Sequence, residues 1–391
     1  MRGGTRRFDR APLTVGRITI DRMNVLRSIL AKIALGLGSA LATLVAVDLV
    51  LLLVQGPVRV VEDFYEPAPD YGYKMQPNLT FEFANPYHGY RGTVHTNALG
   101  LRGRPVVVPK PPGVARILFI GDSMTAGLEV NDDDTYAAVC GRLLGGAPHI
   151  DVVNAGVRGY NLDNVLAFLQ DVGVGLEPDL VVYTFVDNDL TAQPDFSPET
   201  SDWSRGSTMS GLAGRLAAYS HLTYRFELLR QQIALRRQTD TSPSERVYVP
   251  RPLFSLFTTT KYATDPTSVL TAQRIAYMDS LCRVHGARFV LAGAPHRLEI
   301  SLSAQEWLRK QLWSTAAAPD FDGVRHYLDW AAQRAGCERV DPVPEFRARL
   351  ARERDYWFHK DDHLNTRGHR LFGEVLAEKL RPLLTAGSGS R

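Results

Sequence analysis

The sequence predicts an α/β fold built on a central parallel sheet with helices on both faces, preceded by one transmembrane helix. Three observations predict it. Short, almost wholly apolar segments recur along the chain, as strands buried on both faces do. Stretches of helical spacing separate them, which is the pattern of parallel strands joined by crossover helices. Ahead of them runs IALGLGSALATLVAVDLVLLLV, residues 33–54, in which Asp48 alone is charged.

Twenty-two residues at about 1.5 Å each give roughly 33 Å, enough to cross a hydrocarbon core of about 30 Å. The run is longer than the apolar part of a cleavable signal, and the following QGPVRVVED has no small-residue cleavage site. An uncleaved anchor is therefore expected, with a cleaved signal or a buried soluble helix as alternatives. Residues 1–32 carry eight basic side chains against Asp9 and Asp21, whereas Glu62, Asp63 and Glu66 follow the apolar run. That asymmetry orients the N-terminus to the cytoplasm and everything after residue 54 to the far side. Arginine greatly exceeds lysine, as in GC-rich bacteria, so the expected location is the inner membrane with the folded part in the periplasm. Net charge is +3 over 391 residues, and no basic stripe is interleaved with aromatics, so no nucleic-acid partner is indicated. The three cysteines form no CxxC or Cys/His pattern; they read as buried small side chains, or as a Cys282–Cys337 bridge with one left over.

The remaining elements follow in order. Residues 55–113 are rich in Pro, Tyr, Gly and Asn and read as an extended lead-in that packs on the main domain, residues 114–385. There, ARILFIGDS (115–123) predicts a strand and DTYAAVCGRLLGG a helix capped by Asp134. A strand at 150–159, a helix at 161–176 and a strand at 179–189 follow. After a Ser/Thr/Arg-rich insertion, 190–267, with one helical stretch at 212–236, come a helix at 268–285, a strand at 287–296, a helix at 321–336 and the short strand ERVDP. The amphipathic GHRLFGEVLAEKLRPLL closes the domain, and 386–391 read as a flexible tail. An insertion of this length inside a compact domain serves as a lid, binding element or partner surface.

Ligands of parallel sheets bind at the carboxyl ends of the strands. That rule selects Asp122 and Ser123, Asn154 to Gly159, Asp187 to Asp189, and Pro295 with His296. Acyl transfer needs a nucleophile, a base, a group that orients the base, and donors for an oxyanion. Ser123 sits at a strand-to-helix turn, where it is either a nucleophile or a helix cap. Gly156 allows close backbone approach or simply turns the chain, and Asn188 offers a side-chain N–H or caps a turn. FHKDDHLNTRGH (358–369) places His363 two residues after Asp361, a spacing that lets a carboxylate fix the imidazole tautomer. The same loop also reads as a solvated cap, or as a metal cluster of His359, Asp361, Asp362 and His363.

Taken in order, IGDSMTAG (120–127), NAGVRGY (154–160), VDNDL (186–190) and DDHLNTRGH (361–369) resemble the four blocks of the SGNH hydrolases, also called GDSL esterases. The resemblance covers roughly residues 90–385. It implies a flavodoxin-like three-layer sandwich and a cofactor-free, metal-free serine hydrolase or acyltransferase. Carried over, Ser123 is the nucleophile, His363 the base and Asp361 its orienting acid, with oxyanion donors from the Ser123 N–H, the Gly156 N–H and the Asn188 side chain. Asp122, Asp189 and His296 are candidate substrate-lining residues. Two positions depart from the family pattern. Val186 stands where glycine is usual, so the fit around Asn188 is tighter. Lys360 stands where an Asp-x-x-His motif has its acid, leaving Asp361, with Asp362 as the alternative.

Two function classes follow. One is an extracytoplasmic serine esterase or O-acyltransferase acting on an ester-bearing saccharide or small acyl ester. The other is a non-catalytic glycan-binding or assembly subunit that docks a protein partner through insertion 190–267 or the transmembrane helix.

Overall fold

A computed structural model of the chain describes residues 15–55, 64–85, 89–146, 148–190, 261–311, 319–350, 356–358 and 361–385. The basic segment before residue 15, most of the insertion with its expected helix at 212–236, and the tail lie outside the described residues. The chain separates into two compact units, one holding the N-terminal helix and the other holding the sheet.

The first unit is helix α1, Val15–Gln55. It begins well before the apolar run, and no proline after Pro12 interrupts it up to Gln55. Val25–Leu51 is long and apolar enough to span a membrane, a property that signal sequences share, and none of it is buried.

The second unit opens with two antiparallel hairpins, β1 (Tyr65–Ala68) with β2 (Gly72–Met75), and β3 (Thr80–Asn85) with β4 (Tyr90–His95). The strand-and-turn reading of the lead-in thus resolves into two ribbons with a small core of Phe64, Met75, Phe81, Phe83, Tyr90 and Val94.

The central sheet holds β5 (Ala115–Gly121), β6 (Ile150–Gly156), β7 (Leu180–Phe185), β8 (Arg288–Gly293) and β9 (Glu338–Val340). All are parallel, in the order β6-β5-β7-β8-β9. Their helices are α2 (Ser123–Ala126), α3 (Tyr136–Leu144), α4 (Leu162–Phe168), α5 (Pro266–Val284), α6 (Arg297–Ile300), α7 (Leu302–Gln311), α8 (Gly323–Ala335), α9 (Val343–Arg349) and α10 (Thr366–Thr385).

Alternation within each strand divides two cores. Leu118 and Ile120, with Val181, Tyr183, Phe289 and Leu291, face the layer of α4, α5 and α8. Ile117 and Phe119, with Leu180, Val182, Val290 and Ala292, face the layer of α3, α9 and α10. Each such side chain contributes about 1.5–3 kcal/mol on burial, so a one-residue slip of any strand would forfeit both faces. This three-layer arrangement matches the expected fold. The order reverses on either side of β5, so the crevice at the carboxyl ends opens beside the strand that carries Ser123.

Candidate active site

Strand β5 ends at Gly121 and the chain turns sharply into α2. At Gly121 φ is +154°, and a Cβ there would lie 2.3 Å from Thr125 Oγ1, so only glycine lets the turn close. Asp122 caps α2, its carboxylate accepting the Met124 N–H at 2.9 Å. The helix ends after one turn at Gly127, in the left-handed conformation. Ser123 is thereby fixed at a helix start with its hydroxyl directed outward. From within the core, Tyr136 Oη bonds Thr125 Oγ1 at 2.8 Å and Thr184 Oγ1 at 2.7 Å, tying α2 to β7.

His363 arrives from the loop before α10. Its Nε2 lies 2.9 Å from Ser123 Oγ, and its Nδ1 lies 2.5 Å from Asp361 Oδ1. The same Asp361 oxygen accepts the backbone N–H of His363 at 2.9 Å. Asp362 instead points to Arg297, 3.7 Å away. The geometry therefore selects Asp361 between the two neighbouring acids. Asn365 caps α10 by accepting from Arg367 and Gly368 N–H, and Arg297 donates to the carbonyls of Phe358 and Asp361. The loop is held at both ends.

The two histidines of this region have opposite electrostatics. His369 is buried on α10 and accepts the Tyr136 N–H at 3.2 Å; burial drives it down to about 3. Burial also lowers His363, but the carboxylates of Glu129 and Asp361 outweigh it and hold the imidazole up at about 9. In the free site His363 is thus an imidazolium near neutral pH, and its basic form grows as pH rises toward 9. Ser123 Oγ also reaches Asp122 Oδ2 at 3.2 Å, which gives the hydroxyl proton an acceptor while the ring is charged. Burial pushes the Asp122 carboxyl upward.

Four expected assignments are placed differently, those of Gly156, Asp122, Asp189 and His296. Gly156 does not offer a free N–H, because its amide donates to Asn154 Oδ1 at 3.0 Å, while Asn154 Nδ2 donates to Thr125 O at 2.8 Å. A Cβ at Gly156 would meet Ala126 N at 2.2 Å, so this glycine lets β6 lie against α2. On the same loop Gly159 has φ +84°, and its N–H has no hydrogen-bond partner among the described residues. Asp122 and Asp189 are buried rather than lining a cleft: Asp122 caps α2, and Asp189 accepts the Val186 N–H at 2.8 Å. His296, half-buried, caps α6 by accepting the Leu298 N–H. Asn188 lies in the 3-10 turn Asp187–Leu190 after β7, its side chain outside the described residues. Val186 is buried in the α3/α10 layer. Among the described residues no three His, Cys, Asp or Glu side chains are placed to hold a metal ion, and His359 lies outside them.

Arg102 and Glu129, which the sequence reading did not select, and Arg158, which it selected only within 154–159, complete the site. Arg102, from the lead-in, is buried and donates to the carbonyls of Ala126, Gly127 and Val130 while pairing with Asp132 at 2.8 Å. Glu129 and Arg158 form a buried ion pair beside His363. The signal for Glu129 was a lone charge between Leu128 and Val130, which in a buried segment demands a partner.

A serine, imidazole and carboxylate in line at the carboxyl edge of a parallel sheet define a serine hydrolase. The chain belongs to the GDSL-like lipase/acylhydrolase family, whose sequence model matches residues 119–371. Among solved structures it is similar to the lipase/acylhydrolase from Enterococcus faecalis, at 13% identity and TM-score 0.39, over 69% of this chain and 97% of that one. An α/β-hydrolase enzyme from the metagenome of Lake Arreo, Spain, matches at 15% identity and TM-score 0.38, over 68% and 96%. The acetyl xylan esterase AlAXEase matches at 15% identity and TM-score 0.38, over 68% and 99%. No curated protein matches the chain.

Proposed function

We propose that this protein is a membrane-anchored, extracytoplasmic serine esterase or O-acyltransferase that works through an acyl-enzyme on an ester-bearing saccharide of the cell envelope. The observation that carries the catalytic part is the continuous contact from Ser123 Oγ through His363 to Asp361. His363 accepts the hydroxyl proton at Nε2 as Ser123 Oγ attacks the acyl carbon, and Asp361 holds Nδ1–H so that Nε2 faces the serine. The tetrahedral oxyanion takes hydrogen bonds from the Ser123 N–H, from the Asn188 side chain and, in place of Gly156, from the Gly159 N–H. The imidazolium returns its proton to the leaving alcohol, leaving an ester on Ser123. Water or a second hydroxyl, deprotonated by the same imidazole, releases the acyl group. The location rests on the charge asymmetry around the apolar run.

Ser123→Ala is expected to lower hydrolysis of p-nitrophenyl acetate by at least about 10⁴-fold with unchanged circular dichroism. Undiminished turnover by that variant would overturn the catalytic reading. Product analysis on a panel of acetylated saccharides, with and without a sugar acceptor, tests the substrate and separates hydrolysis from transfer. The binding-subunit reading requires that Ser123 resist a fluorophosphonate probe, whereas an activated serine is labelled.

A further inference from the structure

We propose that Glu129 is a second acid of this site, a positioning residue that faces the same ring nitrogen of His363 as Asp361 and supplies charge that the imidazolium requires. This rests on the serine-esterase reading above. Glu129 follows the left-handed Gly127, and its backbone is clamped on both sides by the bonds from Arg102 to the Ala126, Gly127 and Val130 carbonyls. Its side chain is 1% exposed. One oxygen, Oε1, meets Arg158 Nη1 and lies 3.8 Å from His363 Nδ1; the other, Oε2, has no hydrogen-bond partner among the described residues.

Packing alone gives no reason for this arrangement. A buried ion pair is matched or bettered in stability by apolar residues of the same size, because desolvation offsets the Coulomb attraction. The pair is placed where charge changes during the reaction. The groups facing His363 are Asp361 on its own loop, Glu129 after α2, Arg158 after β6, Asp122 and Ser123 at the nucleophile turn, and His369 on α10. Burial keeps His369 neutral and raises the Asp122 carboxyl. On the Nδ1 side of the ring the charges are the Asp361 and Glu129 carboxylates and the Arg158 guanidinium. These three together are one charge negative, and the imidazolium formed at His363 offsets it. Without Glu129 the Arg158 guanidinium would stand beside the imidazolium with no carboxylate of its own.

The pH dependence of fluorophosphonate labelling of Ser123, and of kcat/KM for p-nitrophenyl acetate, tests this in the full-length chain in detergent. In the parent protein both rise with pH through the His363 titration. Glu129→Gln is expected to move this limb down by about one pH unit or more and to lower the plateau by up to about tenfold for each unit. If Glu129→Gln leaves Arg158 buried without its partner and fails to fold, Glu129→Gln/Arg158→Met removes both charges together. It is expected to keep the limb below that of the parent, because the Glu129 contribution to His363 exceeds that of Arg158. A limb that stays in place in whichever of these variants folds, whatever the loss of rate, overturns the proposal and leaves Glu129 a packing residue. Labelling that persists in Ser123→Ala overturns instead the serine-esterase reading, so the two failures are distinguishable.

Discussion

The parallel sheet and the lead-in hairpins serve one site by different physics. The sheet places groups by register: two apolar faces fix each strand, and Ser123 and Gly156 then emerge level with one another because Gly121 pairs with Gly156 across β5 and β6. The lead-in carries none of the reacting groups. It acts through desolvated polar contacts, with Arg102 on three carbonyls around α2, Tyr73 Oη on the Arg158 carbonyl at 2.8 Å, and the Phe83 ring beneath the Arg158 guanidinium at 5.2 Å. Tyr90 packs edge-on against Phe358 of the histidine loop. Hydrophobic patterning brings the catalytic loops together, and buried arginines then fix their aim. The second kind of contact is costly when half-broken, since an orphaned charge or carbonyl in the interior has no water to turn to.

Substitutions in the two regions should therefore fail differently. On the sheet side, Asp361→Asn is expected to lower kcat by about 10³–10⁴-fold with little change in thermal midpoint. Because Asp361 raises the pKa of His363, the residual activity should also reach its plateau at lower pH; steady-state kinetics from pH 5 to 10 check both effects. On the lead-in side, Arg102→Met removes the buried guanidinium that three carbonyls and Asp132 share. Among the described residues this leaves the Asp132 carboxylate only His95 and the Gly127 carbonyl only the Val130 N–H. The substitution should destabilise the fold by about 3–5 kcal/mol, with activity lost in step with folded protein; denaturant titration against specific activity separates the two. At the junction, Gly156→Ala forces a methyl onto Ala126 N and should cost about 1–3 kcal/mol. Since the Gly156 N–H is already engaged, the activity of the folded fraction should fall far less than in Asp361→Asn. An activity loss as large as that of Asp361→Asn, with stability intact, would return Gly156 to the oxyanion site.

The same contrast explains what the sequence made legible. The order of the central strands could be read because apolar patterning is local, and the observed strands fall within the expected segments, whereas α6, α7 and α9 were not expected. The contact of Ser123 with His363 and Asp361 could be anticipated because Ser123 follows the end of β5 and the other two share the loop before α10, in an order that indicated the family to which the chain belongs. The pairing of Glu129 with Arg158 could not, although 154–159 already stood among the strand-end candidates. The two are 29 residues apart, and their pairing depends on how two loops cross. The two glycines of NAGVRG illustrate the same limit. Spacing leaves open which one has its amide engaged by Asn154 and which one takes positive φ; those are properties of the folded loop. Spacing favoured Asp361 over Asp362, and the folded turn sets them apart by aiming one at His363 and the other at Arg297.

The thiols carry a last consequence. Cys140, Cys282 and Cys337 are all unbridged, and burial raises each of them well above the usual thiol range. They are poor nucleophiles toward oxidants and alkylating agents, because the thiolate is the reactive form. The domain thus matures without any oxidative step and is indifferent to the redox poise of its compartment. It can be produced in a reducing cytosol, and a reductant in the buffer should leave its melting curve where it was.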